Sequence, residues 1–163
     1  MNQQELTAIY LAEVDQLCRD LRATIEALPQ FVSAAADREL KEAFRAKLDE
    51  VTAQRDQLCP LTRLDEEPEV SAAIVGMIEK ARAIVKTMKA GDARDIALIG
   101  AVQHLQHHQI ATFGTLAAYA KTLARQSQKR LFGAMLEEER AIDSDLSLIA
   151  SGLMEPAVTY AAA

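Results

Sequence analysis

The amino-acid sequence predicts an all-α protein, a four-helix bundle with a fifth, crossover helix between the second and third core helices. Three observations predict it. Half of the 163 residues are apolar, but only 4% are aromatic and there is no Trp; Ala and Leu dominate, as in helices, rather than the Val, Thr and aromatic residues of sheets. Gly and Pro number only six and four. The apolar residues recur at steps of three and four, the period of a helix with one buried face. A chain of this length is enough for one domain with a sizeable core.

The elements follow in order. The first helix is expected from Gln4 to Leu28, with a stripe of Tyr10, Val14, Leu17, Leu21, Ile25 and Leu28, ending near Pro29. Phe31 to Ala36 either continues it past a kink at that proline or begins a turn. The second runs from Asp37, a good N-cap residue, to Leu58, with Leu40, Phe44, Leu48, Val51 and Leu58 inward and Pro60 as the stop. The polar connector "LTRLDEEPE" follows, its acids suited to the start of a helix. The third helix, Pro68 to Met88, carries Val70, Ile74, Met77, Ile78, Ala81 and Val85. It stops at "KAGD", where Gly91 supplies a left-handed residue. The fourth is capped by Asp92 and reaches Ala124. The fifth runs from Ser127 to Ser151, with Gly152 and Pro156 beyond. Residues 1–155 therefore read as one domain and 156–163, which have no period, as a short tail. The middle connection, about 30 residues with its own short helix, is long enough to cross the bundle, which makes the second and third core helices parallel. That is the ferritin-like topology.

Charge and cysteine content narrow the function classes. The formal charge of -6 repels phosphate backbones, so nucleic acid is not an expected partner. No apolar run approaches the ~18 to 20 residues of a membrane span. "MNQQELTAIY" has no basic region leading into an apolar run, so the expected location is the cytoplasm. Cys18 and Cys59 are not a CxxC pair and read as reduced, small apolar residues; a bond across two helices stays open. No Ser-His-Asp order, Gly-rich phosphate loop or zinc knuckle is present.

The informative pattern lies inside the helices. The seam of the fourth runs Ile99, Val102, Gln106, Gln109, Phe113, Leu116, Ala120, Leu123, so two amides stand where two Leu are expected. On the fifth, Phe132, Met135, Glu139, Ile142, Leu146 and Ile149 place one carboxylate on the seam. On the second, Val51 and Leu58 bracket Gln54, with Glu50 at the edge. Three helices thus place a polar residue near mid-length on the inward face. A buried polar layer of Gln54, Gln106, Gln109 and Glu139 is expected at the waist. An unsatisfied group in such a layer costs ~1 to 3 kcal/mol, so either metal coordination or an amide–carboxylate network should satisfy it. In the second case Glu139→Gln or Glu139→Leu should leave the protein folded.

The stretches "ALPQFVSAAADRELKEAFRAKLDE", "ALIGAVQHLQHHQIATFGTLAAYAKTL" and "LFGAMLEEERAIDSDLSLIA" resemble the YciE/YciF family of ferritin-like bacterial proteins. The resemblance covers about Thr24 to Ala150 and is most specific at His107 and the following "IATFGTL". It implies a five-helix ferritin-like domain, usually dimeric, associated with stress and without an assigned reaction, whose inward carboxylates resemble those of di-iron proteins. Glu50, His107, Glu139 and Asp143 stand where that pattern has ligands. Gln106 and Gln109 fall where it has Glu, and Leu21 falls where its first helix has Glu, with Asp20 adjacent and directed elsewhere. Neutral amides are poor ligands for hard cations. The expectation is a degenerate di-metal site in a dimeric, non-enzymatic structural or binding module with no cofactor. The alternative is an iron or manganese centre on Glu50, His107, Glu139 and Asp143 that handles peroxide or redox chemistry.

The three histidines of "QHLQHHQ" allow other readings. His104 and His108 are one turn apart, a spacing that can hold Zn or Cu. They lie off the Gln106/Gln109 face, however, which favours a surface or interface role, while His107 borders the seam and reads as a buried hydrogen-bonding residue before a metal ligand. A histidine phosphotransfer role lacks the Lys and Gly that should follow the histidine. In "EEER", Glu137 and Glu138 read as solvated.

Overall fold

The computed structural model describes residues 2–62 and 69–161, with side chains as far as Glu155. The chain forms α1 (Gln3–Ala34), α2 (Arg38–Leu58), a 3-10 turn (Cys59–Leu61), α3 (Ala72–Thr87), α4 (Asp92–Thr122) and α5 (Gln126–Ala161). No strand occurs among the described residues. Helices α1, α2, α4 and α5 enclose the core, and α3 lies across α1 and α4. The first turns of α2 and α4 meet at one end, so those two helices run parallel, and α3 carries the chain back between them.

Three starts have a side-chain cap, whereas α4, expected to be capped by Asp92, begins with that residue after Gly91 and has no side-chain cap. Asn2 and Glu5 form a reciprocal capping box on α1. Asp37 accepts from the Leu40 amide at 2.8 Å to cap α2, and Ser71 does the same for Ile74 on α3. The expected start of α3 at Pro68, and most of the acidic connector, lie outside the described residues; α3 begins at Ala72.

Two expected stops are passed. α1 continues through Pro29 to Ala34, because Leu28 and Phe31 on either side of the proline are both fully buried and hold the two arms on one core. α5 continues through Gly152, whose φ is not positive, and through Pro156 to Ala161. Residues 156–161, read from sequence as a short tail, therefore extend α5. Leu153 still packs on the core beyond Gly152.

The turns use the left-handed region twice. Gly91, at φ 139°, precedes α4. At the α4–α5 turn the left-handed residue is Ala124, at φ 56°. Arg125 N–H donates to Ala120 O at 2.8 Å and Ala124 N–H to Lys121 O at 3.2 Å, the paired bonds of a Schellman ending.

The end where α2 and α4 start is clamped by charge. Buried Asp95 accepts from the amides of Ala36 (2.9 Å) and Asp37 (2.7 Å). Arg94 beside it donates to Ala34 O, a carbonyl left open at the end of α1. One dipeptide on α4 thus satisfies both sides of the α1–α2 corner.

Candidate functional site

The α4 seam is buried along its length. Ile99, Val102, Gln106, Gln109, Phe113, Leu116, Ala120 and Leu123 are all inside. On α5, Phe132, Met135, Glu139 and Leu146 are buried, and on α2 Gln54 is buried between Val51 and Leu58. So Gln54, Gln106, Gln109 and Glu139 all lie in the interior.

A fifth polar residue lies with them. Lys47 on α2 is 2% exposed, and its Nζ sits 2.5 Å from Glu139 Oε2, with Glu139 0% exposed. Gln106 donates from Nε2 to the same Oε2 and to the Glu139 carbonyl (2.7 Å). Both Gln106 partners accept, so its NH2 group must face α5. The inward face of α2 is Leu40, Phe44, Lys47, Val51, Gln54, Leu58, with Leu48 only half buried. Sequence reasoning placed Leu48 on that face because an aliphatic residue is the ordinary choice. The 4-3-4-3-4 spacing from Leu40 to Leu58 admits Lys47 but does not by itself prefer it to Leu48.

The four expected ligands do not converge. Glu139 is engaged by Lys47 and Gln106. Glu50 accepts from Gln54 Nε2 at 3.0 Å along α2. Its carboxyl is pushed up to about 7, chiefly by burial, then lowered by Lys47 and raised by Glu139 and Glu138. His107 and Asp143 meet elsewhere, at the outer edge between α4 and α5, Nε2 to Oδ1 3.4 Å, with His107 63% exposed. Asp143 also accepts from Gln103 at 3.1 Å. The reason is rotation: one residue past Gln106 turns a helix by about 100°, and that takes His107 off the seam. Among the described residues no three His, Cys, Asp or Glu side chains are grouped as a metal site.

The other histidines lie apart. His104 is exposed and its Nδ1 is 3.1 Å from Lys80 Nζ. His108 approaches Asp20 Oδ2 at 3.9 Å. Asp20 is buried and directed to the start of α3 rather than to the waist. It accepts from Ser71 N–H (2.9 Å), Ser71 Oγ (3.0 Å) and Gln16 Nε2 (3.0 Å), which fixes the start of α3 on α1. Leu21 is fully buried and supplies no ligand.

Whether these residues suit a di-metal centre is a question of charge. Oε1 of Gln54, Gln106, Gln109 and Glu139 and Nε2 of Gln109 are buried without a hydrogen-bonding partner. Those oxygens, with the neighbouring Glu50 carboxyl, are the features at the waist that would favour a cation. Four of them sit on three neutral amides and one carboxylate, and the carboxylate already holds an ammonium. A divalent ion there would meet Lys47 at close range with one buried negative charge between them, and two would be worse. The donor set does not fit a di-metal centre.

Fold and waist together define a ferritin-like helical bundle whose interior carries a buried lysine–carboxylate pair. Residues 4–159 match the family described as a domain of unknown function, DUF892. Protein YciF of Escherichia coli K12 is 27% identical over 154 residues, covering 92% of this chain and 93% of that protein. The crystal structure of the E. coli stress protein YciF superposes with a TM-score of 0.86 over 91% of this chain and 96% of that one. YcfI, a candidate structural protein from Rhodopseudomonas palustris, superposes at 0.78 with 25% identity, over 87% and 92% of the two chains. The chain belongs to the DUF892, or YciE/YciF, family.

Proposed function

We propose that this chain is a stress-associated structural or binding module that works as a homodimer in the cytoplasm and not through a metal centre. The observation that carries the reading is the buried contact of Lys47 Nζ with Glu139 Oε2. A fixed ammonium there supplies the positive charge that a metal would bring to an inward carboxylate. Gln106 adds a donor to the same oxygen, so Oε2 faces donors and not an open coordination position. The relatives support the setting: YciF is called a stress protein and YcfI a candidate structural protein. No described helix is long and apolar enough to cross a membrane. Leu148, 68% exposed on α5, is an apolar side chain that assembly would cover.

The test is metal analysis by mass spectrometry on protein purified without chelator or affinity tag, followed by anaerobic titration with Fe(II) and Mn(II). Trace metal and no uptake are expected. Two metals per chain would overturn the reading and restore the redox alternative. Lys47→Glu sharpens the test: if charge is what excludes metal, this variant takes up Mn(II) and gains thermal stability from it. Dimerisation is checked separately by light scattering.

A further inference from the structure

Cys18 and Cys59, read from sequence as reduced with a bond across two helices left open, are joined as a disulfide, with their Cα atoms 6.0 Å apart. Their surroundings differ. Cys18 is fully buried in α1. Cys59 is half-buried on the 3-10 turn after α2. The Arg22 guanidinium, one turn along α1 from Cys18, lies 3.8 Å from the Cys59 sulfur. A partly exposed sulfur beside a fixed positive charge is the reactive kind, while a buried one is inert until its partner has reacted. Partly exposed disulfides are also the readily reduced ones.

The pair sits where the chain leaves α2 for the crossover. Cys59 is held to Cys18. The start of α3 is held to Asp20, two residues further along α1, through Ser71, and Gln16 donates to Glu69 O at 3.4 Å. Both ends of the α2–α3 connection are therefore fastened to one short stretch of α1. One fastening is made of hydrogen bonds and persists. The other is covalent and depends on oxidation state.

We propose that Cys59 and Cys18 are a peroxide-reactive dithiol, with Cys59 attacked first and Cys18 the resolving thiol, so that oxidation latches the end of α2 onto α1. The Cys59 thiolate attacks one oxygen of hydrogen peroxide. The O–O bond breaks, the other oxygen leaves as water, and Cys59 becomes a sulfenic acid. Cys18 sulfur then attacks Cys59 sulfur, the S–O bond breaks, and a second water leaves. Two thiols lose two electrons and two protons, and one peroxide becomes two waters. A dithiol reductant returns the pair to thiols by exchange.

The experiment uses the full chain, reduced, desalted and treated with one equivalent of hydrogen peroxide. Loss of both thiols within one chain and a mass lower by two hydrogens are expected. The sequence separation of 41 predicts a rise in Tm of roughly 10 °C on oxidation. In Cys18→Ala, Cys59 should be trapped as a sulfenic acid by dimedone; in Cys59→Ala, Cys18 should stay unmodified. Cys18→Ser provides the same readout if the alanine variant does not fold. Retention of both thiols, a disulfide formed only between chains, or Cys18 reacting as readily without Cys59 would overturn the proposal.

Discussion

The molecule buries charge in two places and treats it differently. At the α1–α2 corner, Asp95 is wholly inside and is met by backbone amides of Ala36 and Asp37, while Arg94 serves the Ala34 carbonyl. At the waist, Glu139 is equally buried but is met by side chains, and one of its oxygens and both polar atoms of Gln109 have no partner. The corner carboxylate satisfies groups that the fold itself leaves open. The waist carboxylate and lysine satisfy chiefly each other. The difference teaches that burial of charge is not one phenomenon: at the corner it is required by chain geometry, and at the waist by the presence of the opposite charge.

Six single substitutions and one double variant test that contrast and its surroundings. The largest effect is expected from Lys47→Met, which leaves Glu139 ionised or forced to protonate in the core and should cost ~3 to 5 kcal/mol in urea unfolding. Glu139→Leu alone should cost as much by stranding the ammonium, which revises the expectation drawn from sequence that this change is tolerated. The double variant Lys47→Met/Glu139→Leu should recover stability to near that of the starting protein or above it. A double variant no better than either single one would show that the waist, like the corner, is required by the fold.

Next, Asp95→Ala should cost ~2 to 3 kcal/mol, since two buried amides lose their acceptor. Asp95→Asn keeps one acceptor oxygen and should cost about half of that. No apolar partner substitution should rescue Asp95→Ala, in contrast to the waist.

A smaller effect is tied to pH. Glu50 titrates near 7 in the fold, against an ordinary value of 4.5, so the folded state favours its protonated form. Below about 4.5 both states are protonated and this group costs nothing. As pH rises the unfolded state ionises first, so stability falls through the window between those two values and levels off above 7. Glu50→Gln should therefore be more stable than the starting protein by ~1 kcal/mol at pH 8, after allowance for solvent screening of a half-buried group. It should show no gain near pH 4. Equal gains at both pH values would mean that ionisation of Glu50 is not the cause.

The smallest effect is expected at Ala124, a left-handed residue with a Cβ. Ala124→Gly removes that strain at some cost in chain entropy and should raise stability by ~0.5 kcal/mol, read as a small upward shift in Tm.

The sequence by itself determined the helical class, the crossover layout and the α4 seam through Gln106 and Gln109. These follow from a local period, and a residue on a three-four seam faces inward whatever the neighbouring helix carries. The tertiary structure decided what no local period contains. Lys47 is inward because Glu139, 92 residues away, compensates it; on its own helix Leu48 was the better apolar choice. Asp20 and Asp95 are buried because a cap serine and a helix corner elsewhere in the chain supply their donors. α1 passes Pro29 because Leu28 and Phe31 pack on one core. Cys18 and Cys59 meet because α2 returns along α1 and brings its end back to that stretch. In each case a long-range partner outweighs a local preference worth ~1 to 3 kcal/mol, and such a partner is visible only once the helices are placed side by side.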